Sequence, residues 1–490
     1  MTEIPNTRKP PEPAAERTAA PAADHAAARA DGIDDVVDAV ADAILPGMQE
    51  TISLRETLRR GGWSVVSLAV PLVMMEQLVR DAGTTLAPDI QRSFQLDDAM
   101  LIAVLAFSGV ALTLLGPPMA YLADRMRRRY LVVGSAALGT GALVWAFFAS
   151  SVWEIFIAMT LTGLAAAYSQ PVFGAMIAEA YPVEGRGRVY SLHAMATPLG
   201  QLIGPTLAGT IAVLSGAGEN AWRYSFLGLA VPYAILAVCA AIFLKEPPRG
   251  GHVYAIATGG SMVWEQPIGV FAAFRRLVRI RTFLFLCMGI GSLGLALYAV
   301  PIQVSLLFGG TYGLDALQRG IIFSLTQIPV IAAMLIGGRQ FDRLYRTNPA
   351  RTMYLALIGI VGFGALMVLG IWAEPLWLLL IVYVVAMMFN GLTLVSVGAI
   401  IASVTPPRYV AQSFAVMTLF TFLMGGFFGA VISGLISSAF GTRLAIALAV
   451  GLSAVAAALF YWLGSRTIGA DARRVAAEIS EELTAKEAGR

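Results

Sequence analysis

Residues 200–209 read GQLIGPTLAG and residues 425–434 read GGFFGAVISG, and both stretches lie within long apolar runs. Glycine occupies the first, fifth and last position of each stretch, and a proline precedes each at the same distance, Pro182 in one case and Pro407 in the other. Small residues along one side of a membrane helix let a neighbouring helix approach closely. Two ladders with identical spacing indicate that one helical unit occurs twice in the chain.

The composition indicates that most of the chain is surrounded by lipid. Hydrophobic residues make up 57% of the 490 residues and charged residues only 13%, whereas about 25% charged residues are usual in soluble domains. The net charge of +3 gives no indication of a nucleic-acid partner. Cys239 and Cys287 both lie in apolar stretches, where we expect small buried side chains rather than a disulfide or a metal site.

Apolar windows of about 20 residues, the length needed to cross a membrane, recur along the chain. Twelve such windows are centred near Met75, Val110, Leu143, Leu164, Ile203, Ala234, Leu295, Val330, Phe363, Ala386, Thr421 and Leu452. The longest connection, residues 245–280, falls between the sixth and the seventh. The sequence therefore predicts an all-α membrane protein with two pseudo-symmetric six-helix bundles, residues 61–244 and 281–464, a leader at 1–60 and a tail at 465–490.

The arginines predict the orientation of these spans. With the amino terminus inside, the outer loops carry only Arg92, Arg223, Arg319 and Arg443, and the inner loops carry most of the others. Short inner loops are normally the positively charged ones. The leader lacks the early apolar core of a signal peptide, and it contains a candidate amphipathic helix at residues 34–45 within an otherwise disordered segment. We expect a multi-pass protein of the cell (inner) membrane with both termini in the cytoplasm.

A second repeated feature follows the second and the eighth candidate spans. Residues 120–125 read AYLADR and residues 338–343 read GRQFDR, so an Asp-Arg pair lies four residues after a small residue in each predicted loop. The first loop continues with three further arginines, residues 127–129.

The first loop resembles the signature loop of the major facilitator superfamily, Gly-x-Leu-Ala-Asp-Arg-x-Gly-Arg-Arg, with Ala120 and Arg127 in place of the two glycines. The stretch around residues 200–209 is similar to the fifth-helix motif of that family, which is often emphasised in drug–proton antiporters, and residues 222–226 are similar to its entry to helix six. In the fifth-helix motif the matching residues are Gly200, Gly204, Pro205 and Gly209. The resemblance covers residues 62–463 and implies a secondary transporter.

The resemblance also implies a cytoplasmic gate, in which the loop acids and bases bind neighbouring helix ends and close the inner side of the outward-facing state. The residues that would form it are Asp124, Arg125, Arg128, Asp342 and Arg343, with Glu179 joining the network. Many exporters of the family carry an arginine on helix four, four residues before a glycine. This chain has Met159 before Gly163, so the usual exporter coupling scheme is not implied.

The first candidate span is unusually polar for a membrane helix. Its apolar run is too short to span, so the helix must continue through Glu76, Gln77, Arg80 and Asp81. Ionisable groups at that depth normally face the bundle interior or a water-filled cavity, and Glu76 and Arg80 share one helix face. We predict Glu76 as the protonation or substrate-coupling site, with Arg80 as its partner or as an anion ligand. The alternatives are a static interior ion pair, or a position of Arg80 and Asp81 at the outer interface.

Other polar residues within the spans are candidates for lining a substrate cavity, although an interhelical hydrogen bond is the commoner use of such residues. They are Tyr168, Gln170, His193, Gln201, Gln303, Gln327 and Asn390. The glycine run at residues 289–294 matches a dinucleotide fingerprint in form only, because it lies in a membrane helix without a preceding strand. We expect no cofactor and no metal.

Together these features predict proton-coupled efflux of an amphiphilic or lipophilic solute by a monomeric carrier in the lipid bilayer. The partners are then a small-molecule substrate and protons, with no nucleic acid. Alternatives are proton-linked uptake of an organic anion, a lysolipid-type or sphingolipid-type carrier, which residues 86–91 also resemble, and a non-transporting receptor. A membrane enzyme is disfavoured because the three histidines are scattered.

The gate prediction is tested by Asp124→Asn. The substitution removes the charge that would bind neighbouring helix ends, so we expect slower transport and a changed balance between inward-facing and outward-facing states, measured in vesicles. Unchanged transport and unchanged state populations would contradict the gate.

Overall fold

The computed structural model describes residues 53–181, 189–190, 192–216, 218–247, 270–405, 410–475 and 477. The regular secondary structure of these residues is helical throughout. Within them, eleven helices are long and apolar enough to cross a membrane, and a twelfth span results if the bent pair Leu54–Gly61 and Val66–Thr85 counts as one. The predicted helix at residues 34–45 lies outside the described residues.

The spans, labelled α1 to α12, follow the predicted order, and each predicted centre lies in its span. In the first half they are α1 Val66–Thr85, α2 Asp98–Arg125, α3 Arg128–Phe148, α4 Val152–Ala166 with Ser169–Ala180, α5 Ala196–Ser215 and α6 Ala221–Phe243. In the second half they are α7 Arg281–Gly310, α8 Ala316–Thr347, α9 Pro349–Gly370, α10 Leu376–Val404, α11 Val410–Phe420 with Thr421–Phe427 and Phe428–Phe440, and α12 Thr442–Ser465. The predicted fold class is confirmed.

Short helices also lie outside the spans. Leu54–Gly61 precedes α1 at an angle of 105°, Ala87–Phe94 connects α1 to α2, and Val270–Leu277 precedes α7. Ser53 caps the first of them, because its hydroxyl accepts a hydrogen bond from the backbone N–H of Glu56 at 3.2 Å. The turn into α1 follows at Gly62, whose φ of 81° favours glycine.

The two Asp-Arg segments differ from their prediction as loops. Residues 120–125 form the end of α2, and residues 338–343 lie within α8, which runs on to Thr347. A helix satisfies its own backbone groups, so it continues past the end of an apolar window into the charged residues. The windows counted from hydropathy therefore end earlier than the helices themselves.

The first two glycines of each ladder pack a helix against its neighbour in the same half. In α5, a Cβ atom on Gly200 would lie 2.8 Å from the Met74 carbonyl oxygen, and one on Gly204 would lie 3.0 Å from Leu78 Cα, both in α1. In α11, a Cβ atom on Gly429 would lie 2.7 Å from Leu295 Cδ1 in α7. The contact of α5 with α1 is thus repeated by α11 with α7.

The third glycine of each ladder touches the other half of the protein. A Cβ atom on Gly209 of α5 would lie 2.8 Å from Leu317 Cα in α8, and one on Gly434 of α11 would lie 2.8 Å from Ala99 Cα in α2. The contacts of α5 with α8 and of α11 with α2 are equivalent in the repeat. The matched ladders of the sequence therefore mark the places where the two halves meet.

These contacts lie at one face of the bundle. We call the face at which α1 begins the N-terminal face, and the face at which it ends the opposite face. Gly209 and Gly434 lie toward the ends of α5 and α11, and Ala99 lies at the beginning of α2. These three helix ends are all located at the opposite face. The backbone N–H of Ala99 also donates to the Ser438 hydroxyl at 3.1 Å. The halves are joined here by backbone contact.

This packing predicts the effect of a large side chain at the third ladder position. We expect Gly209→Leu to separate the halves at the opposite face, because the new side chain would occupy the space of the α8 backbone. The distance between spin labels at Glu219 and Glu374, two exposed positions of this face in different halves, should lengthen. Gly141→Leu in α3 is the matched control, since a Cβ atom there meets nothing within 4 Å. An unchanged distance in Gly209→Leu would contradict the packing role.

Candidate functional site

A cavity of about 420 Å³ lies between the two halves, beneath the contacts of the opposite face. Its walls come from α1, α2, α4, α5 and α6 of the first half and from α7, α8 and α10 of the second. Pockets of roughly 300–1,000 Å³ hold drug-sized ligands. The cavity is therefore large enough for a small organic molecule.

The polar face of α1 lines this cavity. Glu76, Gln77, Arg80 and Asp81, which the sequence singles out, all contribute to its wall. Gln77 Nε2 donates a hydrogen bond to Asp81 Oδ1 at 3.0 Å. Glu76 Oε1 and Asp81 Oδ2 are buried and have no hydrogen-bond partner. Two carboxylates with unsatisfied oxygens thus stand at the same wall.

The predicted pair of Glu76 and Arg80 is not joined by a contact. Arg80 is exposed to the cavity, and none of the ion pairs found among the described residues includes it. The guanidinium still lies near enough to both acids of α1 to act on them electrostatically. Its donors are free for a ligand in the cavity.

Glu76 faces a break in α4. The hydroxyl groups of Tyr168 and Ser169 lie beside its carboxyl group, and Ala167 and Tyr168 form the turn at which α4 stops and restarts. Pro171 is the third residue of the helix that follows this turn, and a proline in the first turn of a helix removes no helical hydrogen bond. The restarted helix begins at Ser169, and the first turn of a helix carries partial positive charge. This environment is suited to a carboxyl group that gains and loses a proton.

Amide side chains complete the polar part of the cavity. Gln201 of α5, Gln327 of α8 and Asn390 of α10 line it, and the Asn390 Oδ1 atom is buried without a hydrogen-bond partner. The remaining predicted liners lie elsewhere. Gln303 is fully buried between α7 and α11, where its Nε2 atom donates to the Ser433 hydroxyl at 2.8 Å, as in the alternative interpretation of an interhelical hydrogen bond. The side chain of Gln170 is outside the described part of the chain.

Two further predicted residues are buried and do not line the cavity. Tyr168 is fully buried beside Glu76 and is not part of the cavity lining. His193 is buried with both ring nitrogens unpartnered, and its ring packs edge-on against Phe173 at 5.9 Å between centroids. Of the candidates whose side chains are described, Gln201, Gln327 and Asn390 therefore reach the cavity.

Charged residues tie helix ends together at the N-terminal face. Arg128, which is 5% exposed, donates two hydrogen bonds to the Glu179 carboxylate, and its backbone N–H donates to Glu246 Oε1 at 3.1 Å. The beginning of α3 is thus joined to the ends of α4 and α6. Arg125 and Arg343 are exposed. The side chains of Asp124 and Asp342 lie outside the described residues.

At the opposite face, the structure reveals a buried ion pair that the sequence analysis did not assign. Arg319, placed among the outer-loop arginines, is instead fully buried in the first turn of α8 and donates to the carboxylate of Asp89. Asp315 and Gln318 form a capping box at the beginning of α8. The Asp-x-x-Gln spacing at 315–318 was the available signal, because it places Arg319 inside a helix rather than in a loop.

The protein is a helical bundle with two related halves around a polar central cavity. This is the architecture of multi-pass membrane proteins whose ligand site lies between two domains. The family model of the Major Facilitator Superfamily matches residues 58–360 and 307–481. The chain belongs to this superfamily, which confirms the resemblance drawn from the loop and the fifth helix. The finer resemblance to drug–proton antiporters stays a prediction.

Individual relatives are distant. Protein spinster homolog 1 of Bos taurus is 24% identical over 317 residues, which cover 61% of this chain and 58% of the relative. The chain thus spans little more than half the length of this curated relative. The uncharacterized transporter YybO of Bacillus subtilis (strain 168) is 22% identical over 428 residues, 84% of this chain and 96% of that protein. The names describe transport proteins and not enzymes, in agreement with the sequence analysis.

Solved structures share the fold. A bacterial homolog to the human lysosomal transporter Spinster, in an inward-facing and unoccupied conformation, superposes with a TM-score of 0.70 at 19% sequence identity. The superposition covers 85% of this chain and 97% of that chain.

The ion pair at the N-terminal face gives a prediction about stability. Removal of one partner from a buried ion pair leaves the other charge uncompensated, so we expect Glu179→Gln to lower the free energy of unfolding by about 2 kcal/mol or more. Thermal unfolding in detergent measures this. Arg59→Gln is the control, because Arg59 is 77% exposed and pairs with Glu56 at the surface, where the loss of a pair has little effect. Equal effects of the two substitutions would contradict the prediction.

Proposed function

We propose that the protein is a secondary transporter that moves a small amphiphilic or lipophilic solute across the cell (inner) membrane by alternating access, with proton coupling through Glu76. The observation that carries the proposal is a carboxyl group with an unsatisfied buried oxygen in the wall of a cavity between two repeated halves. Sites at the interface of repeated halves are typical of secondary transporters.

The orientation follows from the distribution of arginines. The bias toward inner loops supports a cytoplasmic N-terminal face, so the opposite face is external. The halves touch at this external face through Gly209 and Gly434. The described arrangement is then inward-facing, closed to the outside. The likeness to a solved structure in an inward-facing conformation supports this assignment.

Proton coupling is supported by the physical chemistry of the Glu76 site. A charged carboxylate is costly in an apolar bundle unless partners compensate it, and here Oε1 has no hydrogen-bond partner. Protonation removes that cost. A bound proton and a bound solute can each favour one arrangement of the halves only through different affinities for the two arrangements. A carboxyl group at the cavity wall can bind the proton and can also contact the solute.

The lining supports an amphiphilic substrate. The charged groups of the cavity lie together on α1, whereas the described residues of the second half contribute no charged group to the lining. This half presents apolar surface from Leu297, Pro301, Ile302 and Val330 beside the amides Gln327 and Asn390. A solute with one polar end and an apolar body matches this division. Efflux is the direction that we propose first, as expected for a solute that enters the cell through lipid.

A second candidate function is proton-linked uptake of an organic anion. The observation that favours it is the guanidinium of Arg80, which is exposed to the cavity and has no carboxylate within ion-pair distance in the described chain. Arginine binds carboxylate and phosphate groups with two parallel hydrogen bonds. The two functions differ in the direction of the solute flux relative to the proton gradient.

The test is flux of a compound panel in reconstituted vesicles with an imposed proton gradient. We expect Glu76→Gln to abolish the response of the flux to the gradient, because the amide keeps the shape of the side chain and cannot take up a proton. Exchange of solute without a gradient should persist. Glu374→Gln is the control, an exposed acid between α9 and α10.

Gradient-driven flux that Glu76→Gln leaves intact would remove Glu76 from the coupling mechanism. Solute accumulation in the direction of the proton gradient would favour uptake over efflux. In that case Arg80→Gln should raise the Michaelis constant for anionic solutes and leave that for neutral ones unchanged.

A further inference from the structure

The contact that closes the opposite face contains a fully buried charge. Arg319 of α8 donates a hydrogen bond to the carboxylate of Asp89. Its Nε atom donates to the backbone carbonyl oxygen of Thr85 at 3.0 Å, and its Nη1 atom donates to that of Leu314 at 2.8 Å. Asp89 and Thr85 belong to the first half, and Arg319 belongs to the second. The guanidinium therefore bridges the two halves.

The surrounding residues are shaped around this bridge. The Ser305 hydroxyl of α7 donates to the same Thr85 carbonyl oxygen at 3.2 Å. A Cβ atom on Gly309 of α7 would lie 3.1 Å from Arg319 Nη1 and 2.9 Å from Pro88 Cβ. A side chain at position 309 would thus displace the guanidinium. The end of α1 is held from both α7 and α8.

The bridge exists on one side of the repeat only. Alignment of the two Asp-Arg pairs places residue 342 on residue 124, so position 319 corresponds to position 101. Leu101 occupies that position and is fully buried. On this other side, the halves are joined by the Asp98 carboxylate of α2, which accepts a hydrogen bond from the Ser437 hydroxyl of α11. A charged pair therefore closes one side, and a charge with a neutral partner closes the other.

We propose that Arg319, Asp89 and the Thr85 carbonyl group form a latch, which holds the protein closed at the opposite face and must open each time the cavity is exposed there. The inference rests on the proposed alternating access. Separation of the halves would remove every first-half partner of Arg319, and a buried guanidinium without a partner is costly. Opening therefore requires that water enter and hydrate both charges.

The latch is attached to the helix that carries the polar wall of the cavity. The Thr85 hydroxyl donates to the Asp81 carbonyl oxygen at 2.9 Å, and Asp81 lines the cavity. Thr85 is the last residue of α1. A displacement of α1 toward a bound solute therefore acts directly on the carbonyl group that Arg319 binds. This arrangement links occupancy of the cavity to opening of the external face.

The test measures the two faces separately in the full chain reconstituted in lipid nanodiscs. Spin labels at Glu219 and Glu374 report the opposite face, and labels at Lys245 and Arg474 report the N-terminal face, in a background in which Cys239 and Cys287 are replaced by alanine. We expect Asp89→Asn and Arg319→Gln each to lengthen the first distance and shorten the second. The ratio of the two populations should change about tenfold, as for the loss of a charge-assisted hydrogen bond.

Arg92→Gln is the matched control. Arg92 also pairs with Asp89, at 2.8 Å, but its side chain is 57% exposed and it does not join the halves. We expect wild-type distances in this variant. The double variant of Asp89 and Arg319 should shift the populations no further than Arg319→Gln alone, since both substitutions break one contact.

Wild-type distances in both Asp89→Asn and Arg319→Gln would overturn the latch, as would an equal shift in Arg92→Gln. Longer distances at both faces would also overturn it. Release of the latch should open the opposite face while the N-terminal face closes. If Arg319→Gln does not fold, Asp89→Asn still decides between these results. The distances need no transported solute, so a failure of the proposed transport in vesicles is distinguishable from a failure of the latch.

Discussion

Backbone contact between the halves at the third glycine of each ladder determines where this bundle can close. Gly209 meets the beginning of α8, and Gly434 meets the beginning of α2. In lipid, apolar side chains gain little from packing on one another, so helices associate through close contact and interhelical hydrogen bonds. Two such contacts, at the same face, bring the ends of α5 and α11 against the beginnings of α8 and α2. The cavity lies between the same two halves, next to this contact.

The second constraint is the cost of charge inside the bundle. Every charged side chain of α1 lines the cavity, and the buried guanidinium of Arg319 has three acceptors. Charges that lack such partners are driven toward water. This explains why the charged residues of α1 face the cavity between the halves rather than the lipid.

The two constraints meet in α1. Its middle carries Glu76 beside the break in α4, and its end carries the Thr85 carbonyl group that α7 and α8 bind. Gly200 and Gly204 hold α5 close to the same helix. A single helix thus connects the carboxyl groups of the cavity, the internal packing of the first half and the closed face. We infer that α1 transmits changes in the cavity to the contact between the halves.

The sequence by itself determined the fold class, the number and order of the spans, and the polar character of α1, because hydropathy and helix length are local properties of the chain. It also determined the two glycine ladders, since their repeat is visible as spacing. Only the tertiary structure decided which residue each glycine meets and that Arg80 stands apart from Glu76. It alone decided that Gln303 bonds to Ser433 and that Arg319 reaches Asp89, because these partners lie 130 and 230 positions apart in the chain. Spacing along a helix fixes which side chains share a face, but the neighbour that faces them depends on how separate helices pack.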